Sequence, residues 1–237
     1  MPESDRMLQV HEAVPDAIAQ MATSRGLGKL REAFRPKQRW MIAVRSNDSR
    51  LYLYEHGLVV TDSDHPPMAF VWDFTTTWSY QRTMNGALTD AYYTLVGPER
   101  HAVTIGRGTP GVVRPYVDGA KVTEAHRGAH FLFEGVWGPE IEAGITRTQA
   151  QGAWVRLRRG ETLDFHKLEI SLESVQAHNK SIRWADVTDV RIYDGALNIS
   201  AGRDFIPMIF TREIPNLMML MTLIKNIRNV YAQANGS

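Results

Sequence analysis

The stretch that decides the fold is Phe70-Val71-Trp72-Asp73-Phe74, because it returns later in the chain as Ile182-Arg183-Trp184-Ala185-Asp186. The number of residues that separates Trp72 from Trp184 also separates Leu58 from Ile170. Leu58 lies within Gly57-Leu58-Val59-Val60, and Ile170 lies within Leu168-Glu169-Ile170-Ser171. Apolar residues thus fall on apolar residues at one fixed offset, which is typical of an internal repeat. The sequence contains two copies, so we expect a pair of similar sheet modules and not a solenoid.

Strand and helix signals extend this repeat over most of the chain. Short apolar stretches separated by turn clusters fill residues 40–134 and 162–210, a pattern typical of antiparallel sheets. A helix is expected after each set, one beginning at Pro139 and one over residues 216–233 with a one-sided apolar stripe. A short helix near Pro15 comes first. We therefore predict an N-terminal helical segment and two modules, at residues 1–38, 39–152 and 153–237.

In each predicted module a helix laid over the open end of a curved sheet would bury the remaining apolar edge. This layout is that of the pleckstrin-homology-like (PH-like) barrel. The predicted fold class is therefore α+β, with two PH-like antiparallel barrel or sheet modules in tandem, each closed by a C-terminal amphipathic helix.

Several motifs also resemble an uncharacterised, mainly actinobacterial family of PH-like proteins with a domain of unknown function. They are Gly26-Leu27-Gly28, the segment 51–58, Gly160-Glu161-Thr162-Leu163-Asp164-Phe165 and Ile214-Pro215-Asn216. The family tends to place Gly after the Phe at position 165, where this chain has His166. The resemblance implies the fold and a cytoplasmic setting, and it supplies no activity and no catalytic residues.

Composition excludes several function classes. The 237 residues carry 27 Lys+Arg against 26 Asp+Glu, a formal net charge of +1, so no global field attracts nucleic acid or membranes. The chain has no cysteine, which removes disulfides and fits a reducing compartment. No signal peptide is visible, and the longest apolar stretch is shorter than the roughly 20 residues that cross a bilayer. We expect a cytoplasmic protein without a transmembrane segment.

Motifs that suggest chemistry have simpler interpretations. Gly106-Arg107-Gly108-Thr109-Pro110-Gly111 matches the dinucleotide fingerprint, but no helix start follows it to bind a pyrophosphate. His126 and His130 lie in a loop that enters a strand, so we expect no zinc site. Trp72 and Trp184 are interpreted as core anchors. We predict no catalytic residues, cofactor or metal; an enzyme would require carboxylates or histidines that only the fold brings together.

The most asymmetric charge lies between residues 25 and 39, where Glu32 is the only acid. Such a segment is either solvated surface, a contact for anionic lipid headgroups, or a contact for a phosphate backbone. The absence of interleaved aromatic residues disfavours nucleic acid. The candidate residues for an anionic partner are Arg25, Lys29, Arg31, Arg35, Lys37 and Arg39.

The last helix carries more apolar residues than one sheet needs. Met218, Met219 and Leu223 flank its core stripe, and methionine adapts to irregular partners. We expect these residues to contact the other module or a second subunit, with burial under the N-terminal helix as the alternative. The predicted function is a non-catalytic binding or scaffolding role with another protein as partner; the alternative is peripheral binding of an anionic lipid surface through the basic segment.

Overall fold

The computed structural model describes residues 13–37, 48–84, 87–107 and 122–235. The predicted α+β class is confirmed, since several antiparallel sheets combine with three helices in these residues. Within them the strands form four open sheets, none of which closes into a barrel. The predicted strands at residues 40–44 and 112–117 lie outside the described residues.

The first half of the chain contains two sheets and two helices. A four-stranded sheet is followed by a 3-10 turn at Trp72–Phe74 and then by a second sheet, in which only the last strand is parallel to its neighbour. The elements are α1 (Asp16–Ser24), β1 (Leu30–Phe34), β2 (Arg50–Tyr54), β3 (Gly57–Thr61), β4 (Met68–Val71), β5 (Thr76–Met84), β6 (Ala87–Val96), β7 (His101–Arg107), β8 (Glu124–Arg127) and α2 (Glu134–Arg158).

The second half has the same order in shorter strands. A four-stranded sheet, a 3-10 turn at Trp184–Asp186 and a three-stranded sheet precede the last helix. The elements are β9 (Leu163–Asp164), β10 (Glu169–Ile170), β11 (Ser174–Ala177), β12 (Lys180–Arg183), β13 (Asp189–Tyr193), β14 (Ala196–Ala201), β15 (Asp204–Phe210) and α3 (Leu217–Asn235).

The repeated tryptophan lies at equivalent places in the two halves. Trp72 and Trp184 each begin a 3-10 turn after the fourth strand of a sheet, and both are buried in a core. Their interpretation as core anchors is therefore confirmed. The pairing of Leu58 with Ile170 is wrong, because Leu58 lies on the third strand of its sheet and Ile170 on the second strand of the other. The shorter strands and turns of the second half shift the spacing.

The N-terminal segment packs on one face of the first sheet and also forms one of its edges. Ile18 and Ala22 of α1 pack with Tyr54 and Val59 on one face of the sheet. β1 lies within the segment predicted as helical and pairs antiparallel with β2. Residues 13–37 therefore supply a helix and an edge strand.

Helix α2 is shared between two hydrophobic cores. Trp137, Ile141 and Ile145 are buried in the first core, whereas Leu157 is buried in the second, where Trp154 packs beside it. At about 100° per residue these two sets project from opposite sides of the helix. The helix begins at Glu134, ahead of the predicted start at Pro139, and continues through Gly152. The boundary between residues 152 and 153 thus lies inside a helix, and the division into domains stays a prediction.

A buried hydrogen-bond network joins the two halves beside α2. The Asn216 N–H donates to the Thr77 carbonyl at 2.8 Å, and the Thr77 N–H donates to Asn216 Oδ1 at 2.9 Å. Gln149 Nε2 of α2 donates to the carbonyls of Trp72 and Thr75. Since Thr75, Thr77 and Asn216 are all buried, these bonds fix the second half against strand β5 away from water.

Candidate functional site

The predicted basic segment is divided among several elements. Arg25 directly follows α1 and forms an ion pair with Glu99 at 2.8 Å; Arg31 lies on β1 and pairs with Glu140 of α2 at 2.7 Å. The Arg25 hydrogen bond lowers the pKa of Glu99. Lys29, Arg35 and Lys37 are exposed, and Arg39 lies outside the described residues. The two ion pairs reduce the positive charge that this segment presents, and binding of anionic lipid there stays a prediction.

The apolar excess of α3 is mostly covered within the chain. Leu223 is fully buried and Met219 is 8% exposed, both in the second core, whereas Met218 is 38% exposed. Ala150, Ala153 and Trp154 of α2 pack against this core. Met219 and Leu223 therefore lie in the second core, to which the C-terminal half of α2 also contributes, and a role of Met218 in an interaction surface stays a prediction.

Polar residues singled out in the sequence have local partners. His126 Nε2 lies 3.1 Å from Glu124 Oε1, and the centroid of the His126 ring lies 4.0 Å from that of His65, with the two rings tilted by 43°. His130 contacts Glu134. Within the described parts of the chain, no group of three or more His, Asp or Glu side chains could hold a metal ion. Gly106 lies in β7, and residues 108–111 of the glycine-rich motif fall outside the described residues.

The carboxyl group of Glu142 is partly buried in the first half. Burial raises the pKa of Glu142, and a hydrogen bond from Ser79 Oγ at 2.6 Å partly offsets that shift. Burial, with Glu142 nearby, also raises the pKa of Tyr93 to about 12. The Tyr93 hydroxyl accepts a hydrogen bond from Gln81 Nε2 at 2.9 Å. Tyr93 therefore keeps its hydroxyl proton at neutral pH, and the carboxyl group of Glu142 holds its proton to a higher pH than a fully exposed glutamate does.

Each half of the chain contains a second sheet, and these two sheets differ at the edge strand that follows the tryptophan turn. β5 is the edge strand of its sheet, and Asn216 of the second half forms hydrogen bonds with the backbone of Thr77 on this strand. β13 is the equivalent edge strand in the second half, and no backbone hydrogen bond from another described element meets its outer edge. Ile192 and Tyr193 of β13 are 45% and 71% exposed. The edge of β13 thus lacks the type of contact that Asn216 makes with Thr77 at the edge of β5.

A groove of about 340 Å³ runs between β13 and α3. Val190, Met221 and Ile224 form its apolar floor, and Lys225 and Arg228 lie at its exposed rim. Neither Lys225 nor Arg228 has an ion-pair partner among the residues that the structure describes. The groove therefore combines an apolar base, a positive rim and an adjacent open strand edge.

Sequence reasoning did not identify this groove. The cations of α3 were visible as Lys225 and Arg228, three residues apart on the polar side of the stripe. That β13 lies at an edge depends on pairing between distant strands, and no local pattern gives it. The spacing of Lys225 and Arg228 was the one usable signal.

Comparison with known proteins finds one family profile, which has no assigned activity. The profile of a family of unknown function, DUF6585, matches residues 123–233, from just before β8 into α3. No curated protein and no solved structure matches the chain. None of the described helices is both long and apolar enough to span a bilayer. The family match agrees with the expectation of an uncharacterised family for this part of the chain.

Proposed function

We propose that this chain is a non-catalytic, cytoplasmic binding protein with two PH-like modules in tandem. The second module binds an extended, acidic segment of a partner protein along β13, in the groove beside α3. The observation that carries the proposal is the open edge of β13 next to an apolar groove with a positive rim.

The repeated order of elements supports the tandem PH-like architecture. Each half has a four-stranded sheet, a 3-10 turn that begins at a buried tryptophan, a second sheet and a helix. The corresponding sheets turn from one to the other at Trp72 and Trp184, where the chain must change direction. This arrangement leaves one side of each second sheet beside a helix, which is where a groove forms.

The chain itself supports strand-edge binding. At β5, Asn216 of the second half donates its backbone N–H to the Thr77 carbonyl and accepts the Thr77 N–H with its side-chain oxygen, so an edge of this type already carries a partner within the chain. β13 follows its tryptophan turn as β5 does, but its edge lacks such a partner among the described residues. An added strand would satisfy the main-chain groups of β13 and place alternate side chains in the groove.

Charge and burial support the choice of an acidic apolar segment. Val190, Met221 and Ile224 provide contacts for apolar side chains, and Lys225 and Arg228 provide donors for carboxylates. A partner segment with only apolar or only acidic side chains would contact either the apolar residues or the two cations, but not both. A segment of alternating apolar and acidic residues uses both.

The test is selection from a displayed library of random peptides, with the full chain as bait. We expect enrichment of extended sequences with acidic residues next to apolar ones. The double variant Lys225→Glu with Arg228→Glu should weaken binding of a selected peptide at least tenfold, because two attractive contacts become repulsive.

The matched control reverses two exposed cations away from the groove, Arg158→Glu with Arg203→Glu. This control should bind the selected peptide as the unmodified chain does. Circular dichroism and the urea midpoint establish that each variant is folded. Selection of basic peptides, or equal binding by both double variants, would contradict the proposal.

A further inference from the structure

The second sheet of the second half exposes large apolar side chains on the face turned away from its core. Leu197 and Ile199 of β14 are buried in the second core, so the alternate residues of this strand lie on the opposite face. We call this face of β13, β14 and β15 the outer face. Its large exposed side chains are Tyr193 at 71%, Phe205 at 57%, Met208 at 55% and Phe210 at 39%. Four such side chains on one face form a patch, and apolar patches mark interaction sites.

The outer face has the shape of a trough that follows β14. Tyr193 of β13 and Phe210 of β15 are paired with Ala196 of β14 across the sheet. Phe205 of β15 is paired in the same way with Ser200, and paired residues project on the same face. The central strand thus carries short side chains between longer ones. β13 and β15 form the two walls of the trough, and β14 forms its floor.

A cavity of about 250 Å³ lies at one end of this trough. Asn198 and Ser200 line the cavity from the floor, and Phe205 and Met208 line it from the β15 wall. The trough therefore combines an apolar wall with a polar floor.

The dimensions of the trough are those of a short helix. Its walls are two strand spacings apart, which is about 10 Å. The six residues of β14 extend over about 20 Å. An α-helix is about 10 Å wide, and about 13 of its residues cover that length.

Most charges around the outer face are already paired within the chain. Arg191 pairs with Asp189 at 3.3 Å, and Lys180 pairs with Asp204 at 3.0 Å. Arg203 lines the cavity and has no ion-pair partner among the residues that the structure describes. A nearly neutral face with one such cation favours a largely apolar partner with an acidic residue over a strongly anionic partner such as nucleic acid.

The equivalent face of the first half is covered. Val96 and Ala102 are paired with each other on the face opposite to Leu95 and Val103, which lie in the first core. Both are buried, and they pack with Trp78 of β5. The second sheet thus has its outer face buried in one half of the chain and exposed in the other. Cover supplied by another molecule would make the two halves alike.

We propose that the outer face binds an amphipathic helix of a partner protein, which lies along β14 in the trough. Apolar residues at positions i, i+3, i+4 and i+7 of that helix pack on Phe205, Met208 and Phe210. An acidic residue beside this stripe pairs with Arg203. The outer face and the groove beside α3 lie on opposite faces of the same sheet, so either surface can be lost without the other.

The test is selection from a displayed library of one stable helix with randomised exposed positions, with the full chain as bait. A synthetic peptide of the selected helix is the probe for all later measurements. We expect an apolar stripe at helical spacing with an acidic residue at its border. Titration of this peptide should saturate and should shift the methyl signal of Met208 in NMR spectra.

A matched pair of double variants locates the binding surface. Phe205→Ser with Met208→Ser removes the apolar wall and should weaken binding of the peptide at least tenfold. Phe74→Ser with Met218→Ser makes the same chemical changes at two exposed residues away from the outer face, and it should bind as the unmodified chain does. The urea midpoint establishes that each variant is folded. Ser200→Phe places a ring on the floor of the trough and should abolish binding, which keeps the test decisive if the first variant fails to fold.

Three results of this selection would overturn the proposal. No helix is selected, the two double variants bind the peptide alike, or binding is lost in Lys225→Glu with Arg228→Glu, which would place the peptide in the groove. A dimer of the unmodified chain that Phe205→Ser with Met208→Ser dissociates would also overturn it, because a second copy would then occupy the outer face. Since the groove variant should bind the helix normally, failure of this proposal and failure of strand-edge binding are distinguishable.

Discussion

Substitution of Gly144 tests the packing of α2 on the first core. Gly144 is buried and faces the ring of Trp72, and a Cβ placed there would lie 2.7 Å from Cε2 and Nε1 of that ring. Trp72 is 1% exposed, and its carbonyl accepts a hydrogen bond from Gln149 of the same helix. The indole has no room to withdraw, so Gly144→Ala must displace the helix or the ring.

The size of the effect follows from two opposing contributions. Replacing glycine by alanine inside a helix normally stabilises it by about 1 kcal/mol. Overpacking of a rigid core site costs roughly 1–3 kcal/mol, and a fully enclosed tryptophan favours the upper end. We therefore expect Gly144→Ala to lower the free energy of unfolding by about 2 kcal/mol.

Gly152 of the same helix is the matched control. It is exposed, and a Cβ there would meet nothing within 4 Å. Gly152→Ala should therefore show only the helix contribution and raise stability by about 1 kcal/mol. The two alanine variants should differ by about 3 kcal/mol although they make the same chemical change in one helix.

The measurement is urea unfolding followed by tryptophan fluorescence and far-UV circular dichroism. A change in midpoint at constant m-value reports stability, whereas a change in m-value reports a change in the folded or unfolded ensemble. If Gly144→Ala proves as stable as Gly152→Ala, then α2 does not pack on Trp72 as described. The shared position of the helix between the cores would then need revision.

Two further predictions concern the hydrogen bonds between Asn216 and Thr77 and the partly buried carboxyl group of Glu142. Asn216→Ala should lower the free energy of unfolding by about 2–4 kcal/mol in urea, because the Thr77 N–H loses its acceptor and alanine is strained at φ 49°. Asn216→Gly also removes the acceptor but relieves the backbone strain, so it should recover about 1 kcal/mol. Equal stability of the two variants would exclude a contribution from the strain. The pKa of Glu142 is raised by burial above its usual 4.5, so the folded state holds the proton more tightly and stability falls as pH rises from that value through the folded pKa. Glu142→Gln should accordingly raise the urea midpoint at pH 7 and flatten its pH dependence above pH 4.5; an unchanged pH profile would show that Glu142 does not contribute.

Local patterns were sufficient for the fold class and for the residues that anchor each core. Trp72 and Trp184 are large and apolar at equivalent places, and burial of such side chains is largely independent of the details of pairing. The stripe Leu220, Ile224 and Ile227 of α3 is buried as its helical spacing predicts. These features depend on residues close together in the sequence.

The course of α2 could not be read from one apolar stripe. Its first buried set ends near Ile145, and the second set, around Leu157, lies on the opposite side of the helix. A search for one continuous apolar face therefore loses the pattern in the middle, near Gly152. The helix buries two faces because it lies between two cores, and this depends on contacts distant in sequence.

The candidate sites were hidden for a related reason. The sequence shows the cations at Arg25 and Arg31 but not their partners Glu99 and Glu140, which are far away in the chain. The groove likewise arises from a strand and a helix that meet only after folding. A cluster of cations in a sequence therefore does not show which of them remain unpaired after folding.

The continuous helix between the cores also constrains how the chain can change in length. Each residue of an α-helix adds about 100° of rotation and 1.5 Å of rise. One residue inserted between Ile145 and Ala150 would turn the second core by that angle about the helix axis and pull Asn216 out of register with Thr77. Insertions in the hairpin turns would leave this phase unchanged, so length variation is compatible with the fold in the turns and incompatible with it in the middle of α2.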